Sequence, residues 1–152
     1  MYFWKIEKLK ESIRENKLTE KQKFIYLILY IVLGAICLEA MAYIPTENPN
    51  KWDIVNNILN VLIPSIGTYF AYKSNGANSG NDFIGKYFAI CFVLSIRFLV
   101  YLIPILILYF LYYFYAYQTE EEIQTNFVDV IPFSIWYAAI YWRLCFHIRH
   151  TI

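Results

Sequence analysis

Four long apolar runs separated by short polar segments organise the chain. Phe24 to Ile44 is 21 residues long with one charge, Glu39. A second run extends from about Ile54 to Tyr72, broken chiefly by Asn56, Asn57 and Asn60. The third, Tyr87 to Tyr117, is 31 residues long and holds Arg97 as its sole charge. The fourth, Val130 to Ile148, includes Arg143 and His147. A bilayer's hydrocarbon core is about 30 Å thick, and a helix rising about 1.5 Å per residue crosses it in about 20 residues. The pattern predicts spans over 24–44, 54–72, 87–117 and 130–148.

The segments between these runs read as loops. Pro45 to Asn50 combines two prolines with turn formers, Lys73 to Asp82 is rich in Gly, Asn and Ser, and Thr119 to Glu122 opens the third connection. Asn81 or Asp82 is placed to cap the helix that follows. Ahead of the first run, Tyr2, Ile6, Leu9 and Ile13 recur at helical spacing while Lys5, Lys8, Glu11 and Glu15 occupy other faces. Residues 1–18 are therefore expected to form an amphipathic helix lying in the membrane interface, with Trp4 favouring that layer. The alternative is a helix packed on a partner or sister subunit. Thr19 and Gln22 then have capping-box spacing, so a new helix is expected to start there.

Composition sharpens this reading. Of 152 residues 59% are apolar, 20% aromatic and only 16% charged. Soluble domains carry about 45–50% apolar and about 25% charged residues. A disordered chain, a disulfide-stapled module and most water-soluble enzymes are excluded. The net charge of +1 leaves no strongly basic face for nucleic acid. The expected fold is all-α, a polytopic membrane four-helix bundle, with residues 1–152 forming a single membrane domain.

The distribution of cations orients it, because cytoplasmic flanks retain Lys and Arg. Lys5, Lys8, Lys10, Arg14, Lys17, Lys21 and Lys23 precede the first run, Lys73 and Lys86 flank the second connection, and Arg143 and Arg149 mark the C-terminal end. The opposite side has Lys51 alone, and Glu120, Glu121, Glu122 and Asp129 meet no cation there. Both termini are expected to be cytoplasmic, in a bacterial inner membrane or a plasma membrane, with no cleavable signal peptide. Cys37, Cys91 and Cys145 all fall within spans and read as packing residues.

Charges inside a bilayer cost at least about 2.5–3.5 kcal/mol and need partners. Glu39 lies about 22 Å beyond Phe24 and Arg97 about 15 Å beyond Tyr87, so an ion pair between them is within reach. Asp53, Asn57, Asn60, Pro64 and Gly67 share one face of the second span, with Asn56 adjacent. Glu39, Asn56, Asn57, Asn60 and Arg97 thus form the candidate intramembrane polar cluster. It serves either as folding glue or as an ion path or head-group pocket. Arg143 and His147 are read as interfacial residues within snorkelling reach of water. His147, His150 and Cys145 lack the further ligands a zinc site needs. In the third run Pro104 offers a kink, and Tyr109 to Tyr117 suits the outer interface.

No HExxH, GxSxG, P-loop or GxGxxG string occurs. No cofactor, metal or nucleic-acid partner is expected. The expected partners are the lipid bilayer and either the protein itself or another membrane protein. The role expected is non-enzymatic and exercised through assembly, as a homo-oligomer that can form a pore or as an accessory subunit. The alternative is an intramembrane enzyme or a lipid-head-group binder using Glu39 and Arg97.

Overall fold

Reciprocal side-chain caps start three of the helices. The computed structural model describes residues 2–42, 50–116 and 124–151, apart from the side chains of 38–42 and 116. Its regular elements are α1 (Ile6–Arg14), α2 (Glu20–Ala42), α3 (Lys51–Ser74), α4 (Phe83–Ala116) and α5 (Phe127–Arg149), and no strand occurs among the described residues. At α2 the Gln22 side chain accepts from the Thr19 N–H at 3.1 Å and Thr19 Oγ1 accepts from the Gln22 N–H at 3.3 Å. Asn50 with Asp53 opens α3, and Asn126 with Asp129 opens α5, by the same arrangement. Each pair satisfies backbone donors that have no intrahelical acceptor.

Helix α4 continues for 34 residues through Pro104, about 51 Å at 1.5 Å per residue. The connection before it turns at Gly76, whose φ of 91° suits glycine, and passes through a single 3₁₀ turn at Ala77–Ser79. Asn81 or Asp82 is expected as a cap for α4. Asp82 directly precedes the helix, and its carbonyl accepts from the Lys86 N–H at 3.1 Å. Its carboxylate reaches Lys23 Nζ at 2.8 Å and ties this connection to α2.

Contacts along the helices fix their directions. Asn50 on Thr125 and Trp52 beside Phe127 join the starts of α3 and α5, which run together. Tyr109 against Phe133 and Phe98 against Trp136 set α4 antiparallel to α5. Helices α2 and α4 start at one end, where Lys23 meets Asp82. Helix α5 thus packs on both α3 and α4, and α2 packs chiefly on α4. At Gly67 a Cβ would stand 2.3 Å from the Tyr141 ring, so only glycine lets α3 approach α5 this closely.

The core lies toward one end. Tyr26 of α2, Ala71 of α3, the run Ala89–Leu94 of α4 and Tyr141, Leu144 and Ile148 of α5 meet there, joined by Ile6, Leu9 and Ile13 of α1. Helix α1 is amphipathic in sequence, but its stripe is not left to lipid: Leu9 has no exposed surface and the stripe packs against the chain's own helices, α4 above all. Burying three aliphatic side chains on protein satisfies the same hydrophobic demand that an interface would.

Elsewhere the surface is unusually apolar. Leu108 is 68% and Phe110 70% exposed, and Ile28, Ile36, Ile58, Val61 and Ile135 also face outward. Monomeric soluble proteins rarely present such continuous apolar area. Four spans are expected from the sequence. Among the described residues two helices, α3 and α4, are long and apolar enough to cross a membrane, with mean hydropathies of 1.3 and 2.6 in their most apolar windows. Asp129, Pro132 and Arg143 dilute the apolar run of α5; the run expected over 24–44 extends beyond the residues whose side chains are described. The expected loops at 45–49 and 119–122 lie outside the described residues.

Two substitutions test this packing by thermal unfolding followed with circular dichroism. Gly67→Ala is expected to cost about 1–3 kcal/mol by forcing Tyr141 away. Leu9→Ala is expected to cost about 2–5 kcal/mol through the cavity it leaves under α1. An unchanged transition in either variant would contradict the packing described.

Candidate functional site

Among the described side chains of the expected cluster, Arg97 and the α3 asparagines have separate surroundings. Arg97 projects from α4 toward the N-terminal segment. Its Nε and Nη2 donate to the Trp4 carbonyl at 2.9 and 2.5 Å, and its guanidinium lies 5.4 Å from the Trp4 ring centroid. A carbonyl accepting two charge-assisted bonds, with an aromatic face beside them, is a good counterpart for guanidinium. The backbone of Glu39 belongs to α2, whereas its side chain and any pairing with Arg97 lie outside the described residues.

On α3 the expected polar stripe divides between faces. Gly67 is buried on α5, and Asp53 is occupied by the Asn50 backbone N–H at 2.7 Å. Asn56 is half-buried, and its Oδ1 accepts weakly from Asn60 Nδ2 at 3.4 Å. Asn57 and Asn60 themselves are exposed. Leu59, Ile63, Gly67 and Ala71 lie toward α5. Asn60, seven residues before Gly67, falls near the same face by 3.6-residue periodicity and is nonetheless left exposed.

The second anchor of the N-terminal segment is Tyr26. Its hydroxyl accepts from the Tyr2 N–H at 2.7 Å and donates to the Tyr2 carbonyl at 3.2 Å. Tyr26 and Arg97 thereby hold residues 2–4 across α2 and α4. Within α1, Lys10 bonds Glu7 at 2.7 Å and lowers the Glu7 carboxyl below the usual range. That contribution is present above the ordinary carboxylate range and is lost as pH falls through the lowered value.

Two polar features escape the sequence pattern. At the start of α5, Asp129 Oδ1 accepts from Tyr109 at 2.5 Å and from Tyr113, while Asn126 Nδ2 donates to the Tyr113 hydroxyl at 3.1 Å. Part of the tyrosine-rich end of α4 is thus turned onto α5, although Phe110, Phe114 and Tyr115 remain exposed. The Asn126-x-x-Asp129 spacing signals the cap; its tyrosine donors, distant in sequence, carry no signal. The other feature is His147. The interfacial reading of this residue does not hold, since it is 3% exposed and shares its turn with the core residues Leu144 and Ile148. Neither of its ring nitrogens has a hydrogen-bond partner among the described residues. His150, by contrast, is exposed and bonds the Phe146 carbonyl at 2.7 Å.

Between α3 and α5 a groove of about 550 Å³ opens on the surface, walled by Leu62, Ile66, Phe70 and Trp142 with Tyr141 and Gly67 beneath. It is the most apolar concavity described. No protein-family model matches the chain, and comparisons with curated proteins and with solved structures give no match.

The Arg97 anchor makes a direct prediction. Arg97→Ala should free residues 2–4 and hasten tryptic cleavage after Lys5 and Lys8 several-fold, while the helical circular dichroism stays close to that of the parent. Equal cleavage rates would mean that the segment is held without Arg97.

Proposed function

We propose that this chain is an integral membrane protein whose four long helices, α2 to α5, span the bilayer with both termini cytoplasmic, and that it acts non-enzymatically through assembly with a second copy of itself. The outward-facing apolar side chains and the alternating directions of the four helices support the membrane reading. They match an environment in which hydrocarbon replaces water.

The observation that carries the assembly reading is the exposed amide pair on α3. Asn57 and Asn60 are exposed within a helix apolar enough to cross a membrane. An amide in hydrocarbon lacks water to bond, and interhelical hydrogen bonds are its usual remedy. Asn is both donor and acceptor, so the same face on a second copy is complementary to it about a two-fold axis. Apolar side chains flank the pair, among them Ile54, Ile58 and Val61. A unit of this kind works as a self-associating membrane component, with a pore as one form such an assembly takes.

Size-exclusion chromatography with light scattering in a mild detergent tests this. The protein mass is expected to be a multiple of 18.2 kDa, and the Asn57→Leu/Asn60→Leu double variant should shift toward the monomer. A parent protein of one-chain mass would overturn the assembly reading, and recovery as a detergent-free soluble particle would overturn the membrane reading.

A further inference from the structure

We infer that the α3–α5 groove is a binding site for an anionic phospholipid, with an acyl chain along the groove and the phosphate head at Lys73 and Arg149. The inference rests on the membrane reading above. The groove is apolar where it passes Leu62, Ile66 and Trp142. At Phe70 and Ser74, which line both spaces, it continues into a second recess of about 390 Å³ bordered by Lys73, Gly76 and Arg149. Two adjoining recesses that share Phe70 and Ser74 thus pass from apolar to cationic surroundings. That is the chemistry of an amphiphile with a long hydrocarbon part and a single anionic end.

Charge arithmetic favours an anionic over a zwitterionic head. Lys73 and Arg149 stand in the last turns of α3 and α5. Each helix C-terminus carries about half a negative charge, so two full cations leave the recess about one unit positive. Lys10, Lys17 and Lys23 are each paired with a carboxylate, whereas no carboxylate among the described residues pairs with Lys73 or Arg149. Lys73 Nζ sits 5.1 Å from the Tyr69 ring centroid, an interaction that leaves its N–H donors available. The recess lies at the end of the molecule where lipid phosphates of the cytoplasmic leaflet stand, and basic pockets between spanning helices on that side suit anionic head groups. The apolar groove volume is within the range of about 300–1,000 Å³ common to ligand sites.

Native mass spectrometry of the detergent-purified full chain tests the site, with phosphatidylglycerol and phosphatidylcholine of matched acyl chains added in equal amounts. The parent should retain phosphatidylglycerol in preference. Lys73→Gln/Arg149→Gln should lose that preference by roughly tenfold or more. Ala138→Trp, which fills the groove without touching the cations, should reduce retention of phosphatidylglycerol and its preference together. Circular dichroism establishes that each variant is folded; if Ala138→Trp is not, the exposed Lys73/Arg149 pair still decides. Equal retention of the two lipids by the parent, or an unaltered preference in the double glutamine variant, would overturn the inference. So would displacement of the lipid by millimolar inorganic phosphate, which would mark a phosphate site. A protein that needs detergent yet shows no lipid preference sinks this site alone, whereas one that needs no detergent sinks the membrane reading first.

Discussion

Because position 67 has no side chain, the ring of Tyr141 lies directly on the backbone of α3, and much of the remaining arrangement depends on that approach. A Cβ there would stand 2.3 Å from the ring. The contact sets which face of α3 meets α5, with Leu59, Ile63 and Ala71 on the same side. Asn57 and Asn60, earlier on α3, are left exposed. The same close approach forms the floor of the groove, whose walls are the larger side chains to either side. Packing and the proposed lipid site thus share one geometric origin.

The ends of the molecule are held by polar chemistry and the middle by apolar contact. At one end Asp129 gathers Tyr109 and Tyr113 of α4 while capping α5, and Asn50 bonds the Thr125 carbonyl. At the other, Lys23 joins α2 to Asp82, and Lys86 donates to the buried Asn75 at 3.1 Å. Such groups can remain hydrated or paired at a membrane's two surfaces, where the loss of water that penalises them in hydrocarbon is smaller. Between them the long helices carry isoleucine, leucine, valine and aromatic side chains outward.

The N-terminal segment adds a lock at the lysine-rich end. Its aliphatic stripe extends the core, and its backbone is fastened by Tyr26 and Arg97. Arg97, the sole charge of the third apolar run, donates twice to the Trp4 carbonyl. Two bonds to one oxygen and a neighbouring indole face compensate its charge locally.

The amino-acid pattern alone determined the five helices' existence, the order of long apolar segments and the cap at Thr19, because hydrophobic period and capping geometry are local properties. The helices' faces were legible only in part. Periodicity groups Asp53, Asn57, Asn60 and Gly67 on one stripe, yet it cannot say that Asp53 is used as a cap, that Gly67 is buried, or that the two asparagines between them face outward. The burial of His147 and the union of Arg97 with Trp4, 93 residues away, belong to the same class. Local sequence specifies which surfaces a helix has; which of them is covered depends on what distant segments fold against it, and only the tertiary structure decided that.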